Sequence, residues 1–267
     1  MSGMADGQKG VRDVKSAART VEVLEVLGGL DGEPVNLREL AERTQVPRSS
    51  LYALLQTLVA RGWVRTDVTG SLYGIGVRAL LVGTSYIDGD LRVAEIGPHL
   101  DELVADLGET VHFARLDGAD VVYLLTRESK HHLRPFSRVG RRLPASATAL
   151  GKALLAERAD ADVAALLPDP LPRFTGATLD RAGLHADLAA TRDRGYAVEL
   201  EESNVGVHCI GVALRYDNPV QDAISCSVPT ARVTPEFERR AVRRMLRARD
   251  EIERAALRWP TSQVSWR

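Results

Sequence analysis

Residues 37–73 constrain the fold more than any other part of this chain, because they combine two short amphipathic helices, a tight turn and a hairpin. Asn36 stands before the first apolar residue of this stretch, and Glu39 lies three positions further on. This is the capping-box arrangement, in which side chains satisfy the free backbone N–H groups at a helix start. The sequence therefore predicts a first helix that begins at Leu37.

A second helix is predicted from Pro47 onward, because the fixed φ and missing N–H of proline suit a first helical turn. Its leucines recur at helical spacing and share one face that points into a core: Leu51, Leu54, Leu55 and Leu58. The opposite face and the preceding turn carry residue types that reach phosphates and base edges: Gln45, Arg48, Ser49, Ser50, Tyr52 and Gln56. A helix fits B-form DNA in the major groove, which is roughly 12 Å wide, so this is the candidate recognition helix.

A two-stranded wing is predicted after Gly62. Residues 63–66 and 71–73 have strand-like composition, and they flank residues 67–70, which are rich in turn formers. Two helices followed by such a hairpin form the layout of a winged helix-turn-helix.

The predicted DNA-binding region carries a local positive charge. Between Glu42 and Asp67 the only charged residues are four arginines: Arg43, Arg48, Arg61 and Arg65. This excess attracts phosphates even though the formal net charge of the whole chain is -1, and we expect Arg43, Arg61 and Arg65 to contact the DNA backbone. The alternative is a packed mini-domain for protein contacts, whose arginines form a solvated face.

The composition limits the class of protein. A chain of 267 residues exceeds the usual size of a single core, so a small domain and a larger one are expected. The chain has 45% hydrophobic residues but no apolar run of about 18 residues, so we expect no membrane span. Residues 1–13 lack the apolar core of a signal peptide, so we expect a cytoplasmic protein. The two cysteines, Cys209 and Cys226, lack metal-binding spacing, and neither a metal nor a cofactor is predicted.

Helical periodicity continues around the winged helix. Residues 14–24 predict a helix that ends at the following glycines, and residues 77–84 predict a linker helix. Residues 91–107 resume the helical period, and Pro98 either kinks that helix or begins a new one.

Beyond Gly108 the pattern becomes mainly β. A mostly antiparallel sheet is predicted from residues 110–116, 121–126, 196–200, 208–215 and 223–228. Helices are predicted at about residues 148–158, 181–194 and 235–257. The fold class is therefore α+β, with a winged helix-turn-helix domain at residues 1–75, a linker helix at 76–90 and a second domain at 91–260.

Strings along nearly the whole chain resemble the IclR family of bacterial transcription regulators. In the first domain they are SAARTVEVLEVL, LAERTQVPRSSLYALLQTL and the wing ending in YGIG. In the second they are GETVH, VGRRLP, ALGKA, RGYAV, and EE with Gly206 following. The resemblance implies a non-enzymatic regulator whose C-terminal effector-binding domain is related to GAF and PAS folds. It also implies a homodimer or dimer of dimers, with double-stranded operator DNA and a small organic acid as partners.

In the family that this chain resembles, the acid binds between a helix N-terminus and the loops and strands that follow. The residues indicate the same place, because Ser146 or Thr148 can cap a helix whose first N–H groups, those of Ala149 and Leu150, stay free to bind an anion. The small side chain of Ala149 would let a carboxylate approach the backbone. The alternative is an ordinary capped helix that packs against the sheet.

The resemblance also assigns pocket positions to four residues: Glu199, Cys209, Ser225 and Ser227. Ser225 and Ser227 are two apart in a predicted strand and share a face, whereas Cys226 points the other way. Glu199 would repel a carboxylate ligand if both groups were ionised. We therefore expect Glu199 to hydrogen-bond a neutral hydroxyl group or a water molecule bound to a keto oxygen, or to be protonated by burial. The alternative is that Glu199 is a surface carboxylate.

Leu143 and Phe113 are expected either to line the pocket or to lie in the core. The competing interpretation of the chain is a small-acid hydrolase that uses Cys209 or Ser225. His208 and Cys209 should face opposite sides of a strand, and no base is identifiable, which argues against an enzyme. No catalytic residue is predicted. The function indicated is a transcription regulator in which a small organic acid changes operator binding or polymerase contacts.

Overall fold

The structure, a computed structural model, describes residues 14–30, 32–135 and 137–259. Residues 1–13, for which the sequence predicts no signal peptide, lie outside the described residues. Within the described ranges, no helix combines the length and apolar character that crossing a membrane requires. The chain divides into two compact units between Tyr86 and Ile87, and the domain boundaries at residues 75 and 90 stay predictions.

The N-terminal unit is a winged helix-turn-helix, as predicted. Its helices are α1 (Lys15–Gly28), α2 (Leu37–Thr44) and α3 (Arg48–Ala60). Its strands are β1 (Val35–Asn36), β2 (Val64–Thr66) and β3 (Leu72–Ile75), which form an antiparallel sheet in the order β1-β3-β2. The strand β1 has only two residues and was not predicted, because so short a segment shows no alternation.

The helix starts follow from local capping. Asn36 caps α2, and its Oδ1 accepts a hydrogen bond from the Glu39 N–H at 3.0 Å. The Glu39 side chain does not complete the predicted capping box, because it accepts a hydrogen bond from Arg43 Nη2 at 2.9 Å. Pro47 is the N-cap of α3 and not its first helical residue. The apolar face of α3 packs into the core of this unit, where Leu51 and Leu55 are fully buried.

The helix α4 (Val77–Gly89) follows the wing as the predicted linker helix. None of its residues is buried. Its apolar side chains are therefore exposed in this single chain: Val77, Leu80, Leu81, Val82 and Tyr86. A soluble protein rarely exposes so many neighbouring apolar side chains without a partner.

The C-terminal unit contains a six-stranded antiparallel sheet in the order β6-β5-β4-β9-β8-β7. Its strands are β4 (Thr110–Asp117), β5 (Asp120–Arg127), β6 (Arg142–Pro144), β7 (Ala197–Leu200), β8 (Val207–Leu214) and β9 (Asp222–Pro229). The five predicted strands are confirmed. The short edge strand β6 adds the segment that leads into the capped helix.

Helices cover both faces of this sheet. They are α5 (Leu91–Leu107), α6 (Ala149–Ala156), α7 (Asp160–Leu166), α8 (Arg181–Arg194) and α9 (Pro235–Ala256). One apolar cluster joins α5 and α9 to one sheet face, and a second joins α6, α7 and α8 to the other. Pro98 lies inside α5, which continues through it. The helix α7 was not predicted, because Val163 is its one buried residue and it has no apolar stripe.

Candidate DNA interface and effector cavity

The helix α3 presents a polar surface opposite its buried leucines. Arg48, Ser49, Tyr52 and Gln56 are all exposed on it, and Ser50 is half-buried. Their exposure follows from the same helical period that buries the leucines. A helix with this surface has the residue types and the accessibility that major-groove contacts require.

The remaining predicted DNA contacts surround α3. Gln45 lies in the turn between α2 and α3 with a φ of 54°, and its Nε2 donates to the Glu42 carbonyl at 2.6 Å. Arg61 ends α3 and Arg65 lies on β2, and both are exposed. Arg43 is also exposed, but it forms an ion pair with Glu39 at 2.9 Å. Its positive charge is therefore partly neutralised in this chain.

One aspartate forms most of the side-chain hydrogen bonds that stabilise the turn of the wing. Asp67 accepts hydrogen bonds from the backbone N–H groups of Thr69, Ser71 and Leu72, and from the Thr69 hydroxyl. These hydrogen bonds, that from the Thr69 hydroxyl above all, hold the pKa of Asp67 well below its ordinary value. The wing turn is therefore organised by an ionised carboxylate.

The C-terminal unit contains a cavity of about 290 Å³ beside the N-terminus of α6. All seven residues predicted to contact the effector line it: Leu143, Ala149, Leu150, Glu199, Cys209, Ser225 and Ser227. They come from β6, α6, β7, β8 and β9, so distant parts of the sequence meet here. Their role in binding stays a prediction.

Strand register explains why the polar residues share one face. Ser227 pairs with Cys209, and Cys209 pairs with Glu199, in the antiparallel sheet. Ser225 pairs with His112 on the neighbouring strand. Directly paired residues in an antiparallel sheet have their side chains on the same face. The cavity therefore lies over a row of polar side chains.

The helix α6 approaches this row closely because β8 carries a glycine beneath it. An added Cβ at Gly211 would stand 3.1 Å from the Ala149 Cβ and closer still to the Ala149 carbonyl. Thr148 caps α6, and its Oγ1 accepts from the Gly151 N–H at 3.0 Å. The first N–H groups of a helix have no partner within the helix, so those of Ala149 and Leu150 remain for the cavity.

A buried ion pair holds α6 from the other side. Lys152 is 1% exposed, and its Nζ lies 2.5 Å from Glu202 Oε1 and 2.9 Å from Asp187 Oδ2. Burial raises the pKa of Glu202, and the neighbouring Lys152 charge opposes that rise. This contact ties α6 to α8 and to the loop after β7.

Glu199 is a buried residue and not a surface carboxylate, since only 1% of it is exposed. Its Oε1 accepts hydrogen bonds from the Glu202 N–H, the Ser203 N–H and the Ser203 hydroxyl at 3.0, 3.1 and 3.1 Å. The carboxylate thus organises the loop after β7. That loop contributes Ser203 and Asn204 to the cavity lining.

The sequence interpretation missed six polar residues that line the cavity: His112, Tyr123, Ser137, Arg141, Ser203 and Asn204. His112 Nδ1 lies 3.0 Å from Thr126 Oγ1, and its ring meets that of Tyr123 edge-on with centroids 5.0 Å apart. Burial and the nearby Arg141 charge lower the pKa of His112 to about 3, so its imidazole is neutral at neutral pH. Alternation in residues 110–116 was the available signal for His112.

Phe113, which the sequence left as either cavity lining or core, lies in the core on the opposite sheet face, with α5 and α9. It is adjacent to His112 in the strand, and adjacent side chains point to opposite faces. Cys226 is buried in the same core cluster, as the alternation predicts.

The geometry does not support a nucleophile at Cys209. Burial raises the pKa of its thiol well above the ordinary value, and the Glu199 charge raises it further. Cys209 Sγ contacts Ser227 Oγ at 3.2 Å, whereas His208 on the opposite face has its Nε2 3.9 Å from Glu238. A thiol that is held in its protonated form is a weak nucleophile.

Among the described residues, one group has ligand atoms close enough together for a metal ion: His99, Glu102 and Glu251. Arg244 contacts both carboxylates at 3.4 Å, and Arg247 contacts Glu251 at 2.8 Å. The arginines already supply the positive charge that these carboxylates require.

The N-terminal unit is a winged helix with an exposed polar recognition helix, and the C-terminal unit contains a cavity. Together these features define a DNA-binding protein with a second functional unit. Two family models match the chain. The IclR helix-turn-helix domain matches residues 16–68, and the bacterial transcriptional regulator IclR C-terminal domain matches residues 87–254. The chain belongs to the IclR family of bacterial transcription regulators, which is not a family of enzymes.

Individual relatives agree with this assignment. The chain is 34% identical over 82% of its length, and 88% of the relative's, to the HTH-type transcriptional regulator XynR of Escherichia coli K12. It is 34% identical to the transcriptional repressor IclR of the same strain, over 84% of this chain and 83% of that protein. An IclR homolog from Microbacterium hydrocarbonoxydans, solved in complex with 4-hydroxybenzoate, shares the fold with a TM-score of 0.71 and 23% identity, over 91% of this chain and 99% of that one.

Proposed function

We propose that this regulator reads its operator with α3 and the wing, and that a small organic acid in the C-terminal cavity changes its affinity for that operator. The observation that carries the proposal is the meeting of all seven predicted effector residues in one cavity at a helix N-terminus. The cavity is close to the lower size limit of ordinary ligand pockets, about 300 Å³, which suits a small acid.

The DNA contacts are proposed from exposure and charge. Among the described residues, no carboxylate forms an ion pair with Arg48, Arg61 or Arg65. Unpaired arginines at the start and end of α3 and on the wing can bind phosphates while Ser49, Tyr52 and Gln56 reach base edges. Arg43 can contribute to DNA binding only if it leaves its ion pair with Glu39 and contacts a phosphate.

Replacing Arg48 by alanine should weaken binding to all DNA sequences to a similar extent and make the salt dependence shallower. One lost phosphate contact reduces the slope of log K against log salt concentration by about one unit. The measurement is fluorescence anisotropy of labelled duplexes across a salt series. Arg247→Ala, at an exposed arginine on α9, is the matched control and should leave the slope unchanged. An unchanged slope in the Arg48 variant would remove this residue from the interface.

The acid is proposed to bind with its carboxylate at the start of α6. The helix dipole and the N–H groups of Ala149 and Leu150 favour an anion there. Ser225 and Ser227 are buried and offer hydroxyl groups from the facing strand. The 4-hydroxybenzoate bound to the Microbacterium homolog supports an acid as the class of ligand.

The Ala149→Leu variant should lose acid binding and retain operator binding, because the larger side chain fills the approach to the helix N-terminus. Calorimetry with a panel of acetate, butyrate, succinate, adipate, benzoate and 4-hydroxybenzoate identifies a ligand of the wild type, which is then titrated into the variant. We expect affinity to fall by at least about tenfold, as for the loss of one hydrogen bond to a charged group. Ala190→Leu, on the exposed surface of α8, controls for added bulk. Normal affinity in the Ala149 variant would refute this placement.

The assembly is proposed to be a homodimer or a dimer of dimers. The exposed apolar side chains of α4 support this proposal, since pairing with a second copy would cover them. Beside them, Gly62, Val64, Ile75 and Gly76 border an apolar hollow that also includes Val77 and Leu80. Such a dimer presents two recognition helices about 34 Å apart to successive major grooves.

A further inference from the structure

Two serines of β9 line the cavity at different distances from the N-terminus of α6. Ser225 pairs with Gly211 in the antiparallel sheet, and Ala149 at the start of α6 packs against Gly211. Ser227 pairs with Cys209, two residues further along both strands. Residues two apart in a strand lie on one face and are separated by about 7 Å. The cavity therefore offers one hydroxyl beside the helix N-terminus and a second one further along the same strand.

Ser227 ends a row of three side chains that are joined across β7, β8 and β9. Cys209 Sγ lies 3.2 Å from Ser227 Oγ. The Cys209 thiol is also hydrogen-bonded to Glu199, with which it pairs in the sheet. All three residues are buried, and all three line the cavity. The hydrogen bonds of this row are therefore set by the three groups themselves and not by bulk water.

The direction of these hydrogen bonds follows from Glu199. Its Oε1 receives three hydrogen bonds from the loop after β7, which favours the ionised carboxylate, a group that can only accept. Burial raises the pKa of the Cys209 thiol, so the thiol keeps its proton and donates it to Glu199. The sulfur atom then accepts from the Ser227 hydroxyl. Ser227 therefore presents the lone pairs of its oxygen, and not its proton, to the cavity.

An acceptor at this position selects a ligand group that donates. A hydroxyl group can donate to Ser227 Oγ, whereas a keto oxygen cannot. An ammonium group also donates, but a buried charge requires a charged partner, and the Glu199 carboxylate is already occupied by the loop and by Cys209. A hydroxyl group can in addition accept from the hydroxyl of Tyr123, which lines the same cavity and keeps its proton because burial raises its pKa. The site is thus complementary to a neutral hydroxyl group.

We infer that the effector is a hydroxy acid, with its carboxylate at the N-terminus of α6 beside Ser225 and its hydroxyl group at Ser227. This inference rests on the proposed function, since it names the class of acid that the same cavity takes. The spacing of the two serines sets the length of the ligand. In 4-hydroxybutyrate and 4-hydroxybenzoate a carboxylate oxygen and the hydroxyl oxygen are about 6 Å apart at ordinary bond lengths, which is comparable to the separation of the serines. In glycolate they are only about 3 Å apart.

The test is calorimetry with acids that differ in this hydroxyl group: butyrate with 4-hydroxybutyrate, valerate with 5-hydroxyvalerate, and benzoate with 4-hydroxybenzoate. In the best-fitting pair the hydroxy acid should bind about tenfold more tightly, as expected for one buried hydrogen bond. Neither 4-aminobutyrate nor 4-fluorobenzoate should gain affinity over butyrate or benzoate, because the first adds an uncompensated charge and the second cannot donate. Acetate and glycolate should bind equally, because the hydroxyl group of glycolate does not reach Ser227.

Two variants on the same strand separate the two roles. Ser227→Ala should bring the affinities of the hydroxy acid and its unsubstituted partner to within about twofold of each other, because the acceptor is lost. Ser225→Ala is the matched control. It should weaken both acids and keep their ratio, because Ser225 lies beside the carboxylate that both acids share. Thermal melting verifies that each variant is folded, and the ligand comparisons with the wild type do not depend on either variant.

The outcomes separate the two claims. Equal affinity within every pair, an equal gain for 4-aminobutyrate or 4-fluorobenzoate, or an unchanged ratio in the Ser227 variant would overturn the hydroxy-acid inference and leave the acid site standing. Failure of all these acids to bind the wild type would overturn the proposed acid site and this inference together.

Discussion

Replacing Asp222 by alanine is expected to lower the free energy of unfolding of the C-terminal unit by about 3 kcal/mol, the lower end of the cost of breaking a buried ion pair. Asp222 begins β9 and is 2% exposed. Its carboxylate accepts from Arg115 Nε at 2.6 Å, Arg115 Nη2 at 2.8 Å and the Tyr216 hydroxyl at 2.6 Å. The variant leaves these donors without the acceptor that compensates their burial.

The expected loss is limited because Arg115 keeps a second carboxylate. Its Nη1 contacts Asp90 at 2.5 Å, and Asp90 caps α5 by accepting from the Arg92 N–H. The measurement is urea denaturation followed by circular dichroism and tryptophan fluorescence. The control is Asp101→Ala, which removes an ion pair with Arg127. Because the Asp101 side chain is 60% exposed, the free energy of unfolding should fall by no more than about 1 kcal/mol. Equal and small losses in both variants would contradict a structural role for the buried carboxylate.

Gly211→Ala is expected to destabilise the C-terminal unit by about 1–3 kcal/mol, the usual cost of overpacking, and to weaken acid binding. The added Cβ would overlap the Ala149 carbonyl, so α6 must move away from β8. That movement displaces the N–H groups proposed to hold the carboxylate. The loss of one such charged hydrogen bond weakens binding by at least about tenfold.

The two effects of Gly211→Ala are measured by urea denaturation and by calorimetry with the acid that the wild type binds. Gly176→Ala is the matched control in the same unit, because a Cβ there meets no atom within 4 Å. It should change neither quantity. Normal acid affinity in the Gly211 variant would show that the position of α6 does not determine binding.

Long periodic elements were predictable from the sequence, because one buried face of a helix or strand imposes a repeating pattern. The leucines of α3 are such a case, whereas β4, β8 and β9 are largely buried on both faces and were predictable as runs of β-forming residues between turn formers. The elements that were missed are those in which no repeat can develop. The strands β1 and β6 have two and three residues, and α7 buries only Val163.

Some residues of the cavity were predictable from the sequence and others were not. Ser225, Ser227 and Cys209 follow strand alternation, and the resemblance indicated their positions. Tyr123 could not be placed by alternation, because the register between β4 and β5 shifts between Phe113 and Ala114. The shift lets Tyr123 and Thr126, which are three apart, both lie near His112. Arg141 belongs to a turn whose attachment to β5 depends on backbone hydrogen bonds.

The central claim is tested most directly by selecting bound duplexes from a random DNA pool with the purified chain at near-physiological salt. The selection is run in parallel without ligand and with the acid that the cavity binds. We expect enrichment of one two-fold-symmetric site, with half-sites about one DNA turn apart, and a different yield in the two arms. A pool that stays random in both arms, or one that is enriched equally in both, would contradict an acid-responsive operator-binding regulator.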